Sequence, residues 1–377
     1  MTENNSTTVN ELYREIDVLL QDIQRYYSPI LVLLGLLGNC LSVCVFFGTK
    51  LRYSSSSIYL GALAISDSGF LMVVFVSWLK MVYVDLFNRQ GFCQFFIYFA
   101  TLCSFLSVWF VVSFTVERYI AVRWPLRRQF LCTVARAKMT VMGLTVLAIL
   151  LSSPVLLFSK LDKNSTICGH IDKDWMSWAI AYNTLDIVMT FAVPLTTIVI
   201  FNTLIARNVY KLDHVRRTLT IESDVSNERI HTPRDRMPQT KVTKMLLVVS
   251  SAFFCLNMPA FVLRVLAYLY AYLYDKPMIW LILAQQMGQL LFNTSFGINF
   301  ILYCASGQNF RREMFHMCTK RSSTTRSGTL MQMASHGKQC VSEFTRKYSS
   351  TKRSHFAENA QRKNSQETQK LSVNKGL

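Results

Sequence analysis

Seven stretches of this chain, 26–49, 53–79, 91–116, 139–159, 175–206, 245–263 and 277–310, contain at most one Asp, Glu, Lys or Arg each. Each has about 20 residues or more, the length of helix that the roughly 30 Å of bilayer hydrocarbon requires. A soluble helix of such length needs a charged face opposite its apolar stripe, and these stretches have none. The expected fold is therefore an all-α membrane protein, a seven-transmembrane helix bundle. Charged residues make up only 16% of the sequence and hydrophobic ones 51%, too apolar a balance for most soluble domains.

Basic residues alternate with the stretches and so set the orientation. Lys50 and Arg52 follow the first; Arg118, Arg123, Arg127, Arg128, Arg136 and Lys138 follow the third. Further Lys and Arg residues crowd the linker 207–244 and the tail after Arg311. Enrichment of this kind marks the cytoplasmic side, which puts the N-terminus outside a multi-pass protein of the plasma membrane. The formal charge of +18 thus tracks the loops. It points to anionic membrane lipid and cytosolic partners and not to nucleic acid.

Depth also sorts the cysteines. Cys40, Cys44, Cys103 and Cys255 fall inside spans, and Cys132, Cys304, Cys318 and Cys340 on the reducing side. Cys93 and Cys168 remain on the oxidising side, which makes them the expected disulfide pair. Glycosylation acceptors begin at Asn4, Asn5 and Asn164. No apolar signal core precedes the first stretch, so that stretch is expected to act as an uncleaved signal anchor.

Four segments result. Residues 1–24 form a glycosylated extracellular segment, 25–305 the seven-span domain, 306–318 an amphipathic helix on the membrane surface, and 319–377 a disordered cytoplasmic tail. The surface helix is read from Phe310, Met314 and Cys318, which recur at four-residue spacing while Arg311, Arg312 and Glu313 cover another face. Cys318 is a candidate for palmitoylation, with a plain free thiol as the alternative. The tail is rich in Ser, Thr, Lys and Arg. Ser322, Ser323, Thr324, Thr325 and Ser327 are candidate phosphorylation sites.

Several motifs sit at matching depths: Gly38-Asn39 in the first span, Leu63 to Asp67 in the second, and Glu117-Arg118-Tyr119 closing the third. Pro194 lies in the fifth span, Pro259 in the sixth, and Asn299 to Tyr303 in the seventh. Together they resemble the rhodopsin-like (class A) G-protein-coupled receptors. That resemblance implies coupling to a heterotrimeric G protein through Glu117, Arg118, Tyr119 and Tyr303, and recruitment of a receptor kinase and arrestin to the tail. It also implies a sodium ion held by Asp67, Ser107 and Asn299, with Asn39 and Ser295 completing the network. A protonated Asp67 bonded to Asn299 is the alternative, since a mid-membrane acid needs a partner either way.

The chain departs from the family at several points. Asn257 and Phe300 replace the usual tryptophan of the sixth span and proline of the seventh, and the fourth span lacks its usual tryptophan. Gln239 stands where an acid often latches the closed state, so elevated basal signalling is expected. Asn257 is expected to couple to the Asp67 network. The pattern is similar to invertebrate neuropeptide receptors of the FMRFamide-like, myosuppressin-like and CNMamide-like groups.

On the ligand side, Ala100 occupies the place of the amine-receptor aspartate and Asn293 that of the retinal lysine, which argues against aminergic and opsin functions. The candidate ligand-binding residues are Arg264, Asp186, Gln285, Gln289, Thr101 and Trp78, with Ser104 and Gln286 beside them. Arg264 resembles a ligand-contacting arginine of the thyrotropin-releasing hormone, ghrelin and neurotensin receptors. A peptide amide or carboxylate would engage it while a basic side chain engages Asp186; snorkelling of Arg264 to the interface is the alternative. The reading is a receptor for an extracellular neuropeptide and not an enzyme, without a cofactor beyond an allosteric sodium ion. A lipid or other small non-peptide ligand is the alternative. A transporter would need several mid-membrane charges, and Asp67 is the deep one. A hydrolase would need a histidine or acid beside a nucleophile, and all six histidines lie in loops or tail.

Overall fold

A computed structural model of the chain describes residues 2–89, 91–158, 160–161, 168–170, 173–225, 237–274 and 278–326. It divides into two units, Met1–Met314 and Phe315–Leu377. The spans lie in the first; of the second, only 315–326 is described.

The helices are α1 (Thr2–Gly48), α2 (Ser55–Leu79), α3 (Phe92–Arg123) and α4 (Val134–Ser152). The fifth span is α5 (Met176–Ile187), continued through one π-helical turn at Val188–Ala192 by α6 (Val193–Val225). Then come α7 (Met237–Tyr274), α8 (Ile279–Ser295), α9 (Asn299–Ser306) and α10 (Gln308–Arg326). Among the described residues six helices are long and apolar enough to cross a membrane. The seventh span is α8 and α9 together, interrupted by a turn at 296–298.

That turn has a packing reason, although Phe300 stands where the family carries proline. A Cβ on Gly297 would lie 2.8 Å from Leu31 Cδ1, and one on Gly35 would lie 3.0 Å from the Gly297 Cα. First and seventh spans therefore approach backbone to backbone, which side chains at these two positions would prevent. Below, Phe296 stacks on Phe70 with ring centroids 3.8 Å apart. Phe70, Leu71, Cys103 and Phe296 are buried in one cluster.

Lipid-facing surfaces are as apolar as the core: Met139, Met142, Val146 and Leu150 on α4 are all exposed. This is the pattern of a bundle whose solvent is hydrocarbon.

Two features go beyond the sequence reading. Residues 2–24 continue α1 as one helix, and its buried face, Leu20, Ser28, Val32 and Asn39, keeps helical spacing above the expected span. The linker after α4 also holds a short antiparallel hairpin, β1 (Lys160–Leu161) with β2 (Cys168–His170). Cys168 on β2 is disulfide-bonded to Cys93 at the start of α3, with Cα atoms 5.7 Å apart. Asn164 and the tail beyond 326 lie outside the described residues, as do the side chains of Asn4, Asn5, Gln239 and Cys318.

Candidate functional site

Three polar constellations are strung along the bundle. At the end remote from the disulfide, Glu117 and Arg118 close α3, both buried, with Arg118 Nη2 2.5 Å from Glu117 Oε1. A buried ion pair needs further hydrogen bonds to offset its desolvation. The N-terminus of α2 provides them: Ser55 and Ser56 donate to Glu117 Oε1 at 2.9 and 3.1 Å, and Arg118 donates to the Ser56 hydroxyl. The Arg118 guanidinium also lies over the Phe114 ring. Tyr119 packs on Phe201 of α6 at 5.0 Å. Tyr303 of α9 is fully buried between Phe46 and Phe310. Sequence reasoning missed Ser55 and Ser56; four serines in a row at 54–57, entering an apolar span, were the signal.

Midway, Asp67 is fully buried. Its two oxygens accept from Ser107 at 2.6 Å and Asn299 at 2.7 Å. Asn39 and Ser295 bond elsewhere: Asn39 Nδ2 donates to the Phe296 carbonyl at 3.0 Å, and Ser295 Oγ to the Phe292 carbonyl at 2.7 Å. Both donate to carbonyls of the broken seventh span. Asn257 joins Ser295 at 3.4 Å and spends its amide N–H on its own helix at Phe253. Among the described residues, the Asn39 Oδ1 is buried without a partner.

Toward the disulfide end, α2, α3, the fifth span, α7 and α8 enclose a cavity of about 420 Å³. Its walls are Phe70, Ala100, Thr101, Ser104, Asp186, Thr190, Ala260, Phe261, Arg264, Gln285, Gln289 and Phe292. Arg264 Nη1 donates to Asp186 Oδ2 at 3.2 Å, and Nη2 donates to Asn183, one turn away on the same face of α5. The planar guanidinium fork matches two acceptors held at that spacing. Asn183 was not singled out from sequence, since nothing in its neighbourhood marks it. Arg264 stays 43% exposed on its side chain against 15% for Asp186, so the arginine is the partner free to change hands. Gln285 and Gln289, one turn apart on α8, add two amide groups. Thr101 bonds its own helix at Ile97.

Two residues proposed for this site point elsewhere. Trp78 does not line the cavity; its indole Nε1 donates to the Arg25 carbonyl at 2.8 Å. That carbonyl precedes Pro29, which has no N–H to give it. Gln286 faces α1 instead, donating to Asp17 at 3.0 Å.

At the rim, Asp85 accepts from Asn88 through both backbone and side-chain nitrogens, at 3.0 and 2.8 Å. Asn88 in turn accepts the Cys168 N–H at 3.1 Å. The Asn88 hydrogen bonds hold the Asp85 carboxyl below its ordinary pKa.

The sequence model of the "7 transmembrane receptor (rhodopsin family)" matches residues 38–307. Among curated relatives, the thyrotropin-releasing hormone receptor of Gallus gallus is 28% identical over 60% of this chain. The chain spans 62% of that relative's length. The B1 bradykinin receptor of Tupaia minor is 25% identical over 84% of this chain and 89% of its own. The cysteinyl leukotriene receptor 1 of Mus musculus is 23% identical over 83% and 87%.

Proposed function

Because the chain belongs to the rhodopsin family of seven-transmembrane receptors, we propose that it is a G-protein-coupled receptor for an extracellular neuropeptide. One observation carries the reading. The cavity joins an acid, a half-exposed arginine and two amides, and lies at the opposite end of the bundle from the Glu117–Arg118 pair. Opposite charges with neutral donors suit a peptide's basic groups, carbonyls and terminal amide. A lipid would favour apolar walls. Relatives named for peptide ligands support the same choice.

In this reading the N-terminus and the disulfide face outward at the plasma membrane. A ligand carboxylate or amide takes Arg264 from Asp186 and frees the acid for a basic ligand group. The fifth and sixth spans, linked by that pair, then change their relative position. Pro259, which interrupts the hydrogen-bond ladder of α7, lets its inner half swing. Arg118 leaves Glu117 and the serines, and meets the heterotrimeric G protein. Tyr119 and Tyr303 line the surface so exposed. Asp67, Ser107 and Asn299 would hold a sodium ion in the resting state through their side-chain oxygens. Receptor kinase and arrestin act on the tail.

A neuropeptide library applied to cells expressing the chain, with calcium and cyclic AMP read together, tests the reading. At least one amidated peptide should act at submicromolar concentration. A response confined to lipid mediators would overturn it.

A further inference from the structure

First and seventh spans run in parallel, and polar contacts join them at intervals. Asn39 donates to the Phe296 carbonyl at 3.0 Å, the Tyr27 and Thr294 hydroxyls meet at 2.6 Å, and Gln286 donates to Asp17 at 3.0 Å. From Asp17 to Tyr27 is about 15 Å of helical rise, and from Gln286 to Thr294 about 12 Å. The outermost contact therefore keeps the register of the Tyr27–Thr294 contact, beyond the expected start of the span.

This outer segment of α1 is built into the bundle. Leu20 is 4% exposed. Trp78 of α2 serves the carbonyl that Pro29 orphans. Asp17 itself is pinned on both oxygens, by Gln21 at 2.8 Å from its own helix and by Gln286 from α8. A carboxylate accepting two amide N–H groups makes a charge-assisted contact stronger than a neutral one.

Gln286 is flanked on α8 by Gln285 and, one turn on, Gln289, which both line the cavity. Successive helix positions differ by about 100°, so the grip on Gln286 sets the direction in which its neighbours point. We propose that residues 11–24 of α1 form an outer wall of the peptide vestibule. In it, Asp17 is a positioning residue for ligand recognition, acting through Gln286 on Gln285 and Gln289. The inference rests on the peptide-receptor reading. It extends the ligand-recognition machinery to a segment with no residue among those that line the cavity.

The test has two arms. In the first, Asp17→Cys and Gln286→Cys are combined in the full chain, with a protease site placed at 226–236. The native disulfide Cys93–Cys168 lies within the first fragment, and the eight other cysteines of the chain are replaced by alanine in this background, so after cutting only the new pair can join the halves. A short bis-methanethiosulfonate reagent should hold them together on a non-reducing gel, and each single cysteine should not. In the second arm, the most potent agonist from the neuropeptide library is titrated on surface-expressed variants. Asp17→Leu and Gln286→Leu should each lower potency about ten-fold, the double variant no further, and Asp17→Asn, which keeps an acceptor, should stay near wild type. Halves that separate, or an Asp17→Leu potency equal to wild type, overturn the proposal. Cross-linking without any peptide agonist would remove the peptide reading and the ligand role with it, leaving the clasp as architecture.

Discussion

Trp78 completes a hydrogen bond that Pro29 breaks. Its indole N–H reaches the Arg25 carbonyl at 2.8 Å, the group whose helical donor would be the N–H of residue 29. A proline that would otherwise weaken α1 thereby becomes the point where second and first spans are tied.

The tie predicts a specific pattern of stabilities. Trp78→Phe should lower the unfolding temperature of the detergent-solubilised protein, by a few degrees for a loss of about 1 kcal/mol. In a Pro29→Ala background the carbonyl regains its helical donor, and the same change should cost much less. Equal losses in both backgrounds would show that Trp78 acts by packing alone.

Ser55 and Ser56 anchor Glu117 and Arg118 in their paired arrangement. Replacing both serines with alanine removes hydrogen bonds to a buried carboxylate, each worth about 1.5 to 3 kcal/mol. Basal nucleotide exchange on a G protein should rise several-fold in membranes that carry equal receptor. A basal rate equal to wild type would place the restraint on Arg118 elsewhere.

Much of this architecture is legible from residues alone, for a physical reason. The bilayer imposes a length and an absence of charge on each span, so spans announce themselves, and depth then sorts cysteines until Cys93 and Cys168 remain. Asp67, Glu117 and Arg118 are conspicuous as charges at membrane depth. The contacts that hold them are less visible. Asn183 and Arg264 are 81 residues apart, and Asp17 and Gln286 are 269 apart; such partners are common polar residues brought together only by the way helices rotate. Trp78 reads from the sequence as a candidate ligand contact, whereas its indole N–H partner is a backbone carbonyl. The break in the seventh span without a proline depended on Gly35 and Gly297 meeting, which neither glycine signals by itself.

The rim loop gives a pH dependence. The folded Asp85 carboxyl titrates below its ordinary value, near 3.9, so its contribution to loop order is full above that range and lost as pH falls through the lowered value. Hydrogen exchange at the Asn88 amide, corrected for intrinsic rates, should be slow at pH 6 and lose protection only as the pH falls below the ordinary carboxylate range. Asp85→Ala should abolish protection already at pH 6, and protection unchanged by that substitution would remove the carboxylate from the loop's order.

Arg264 is held by two acceptors on one face of α5, Asp186 and Asn183, and a ligand must compete with both. Removing the arginine should therefore differ in sign from loosening it. Arg264→Ala deletes the ligand's contact and should lower agonist potency at least ten-fold at normal surface expression. Asn183→Leu takes away one competitor while leaving Asp186 to hold the charge, and potency should rise two- to three-fold, the effect of a contact worth about 0.5 kcal/mol at a half-exposed group. Loss of potency in Asn183→Leu comparable with Arg264→Ala would mean that asparagine orients the guanidinium for the ligand and does not compete with it. Potency unchanged in Arg264→Ala would leave the arginine as a surface-seeking side chain.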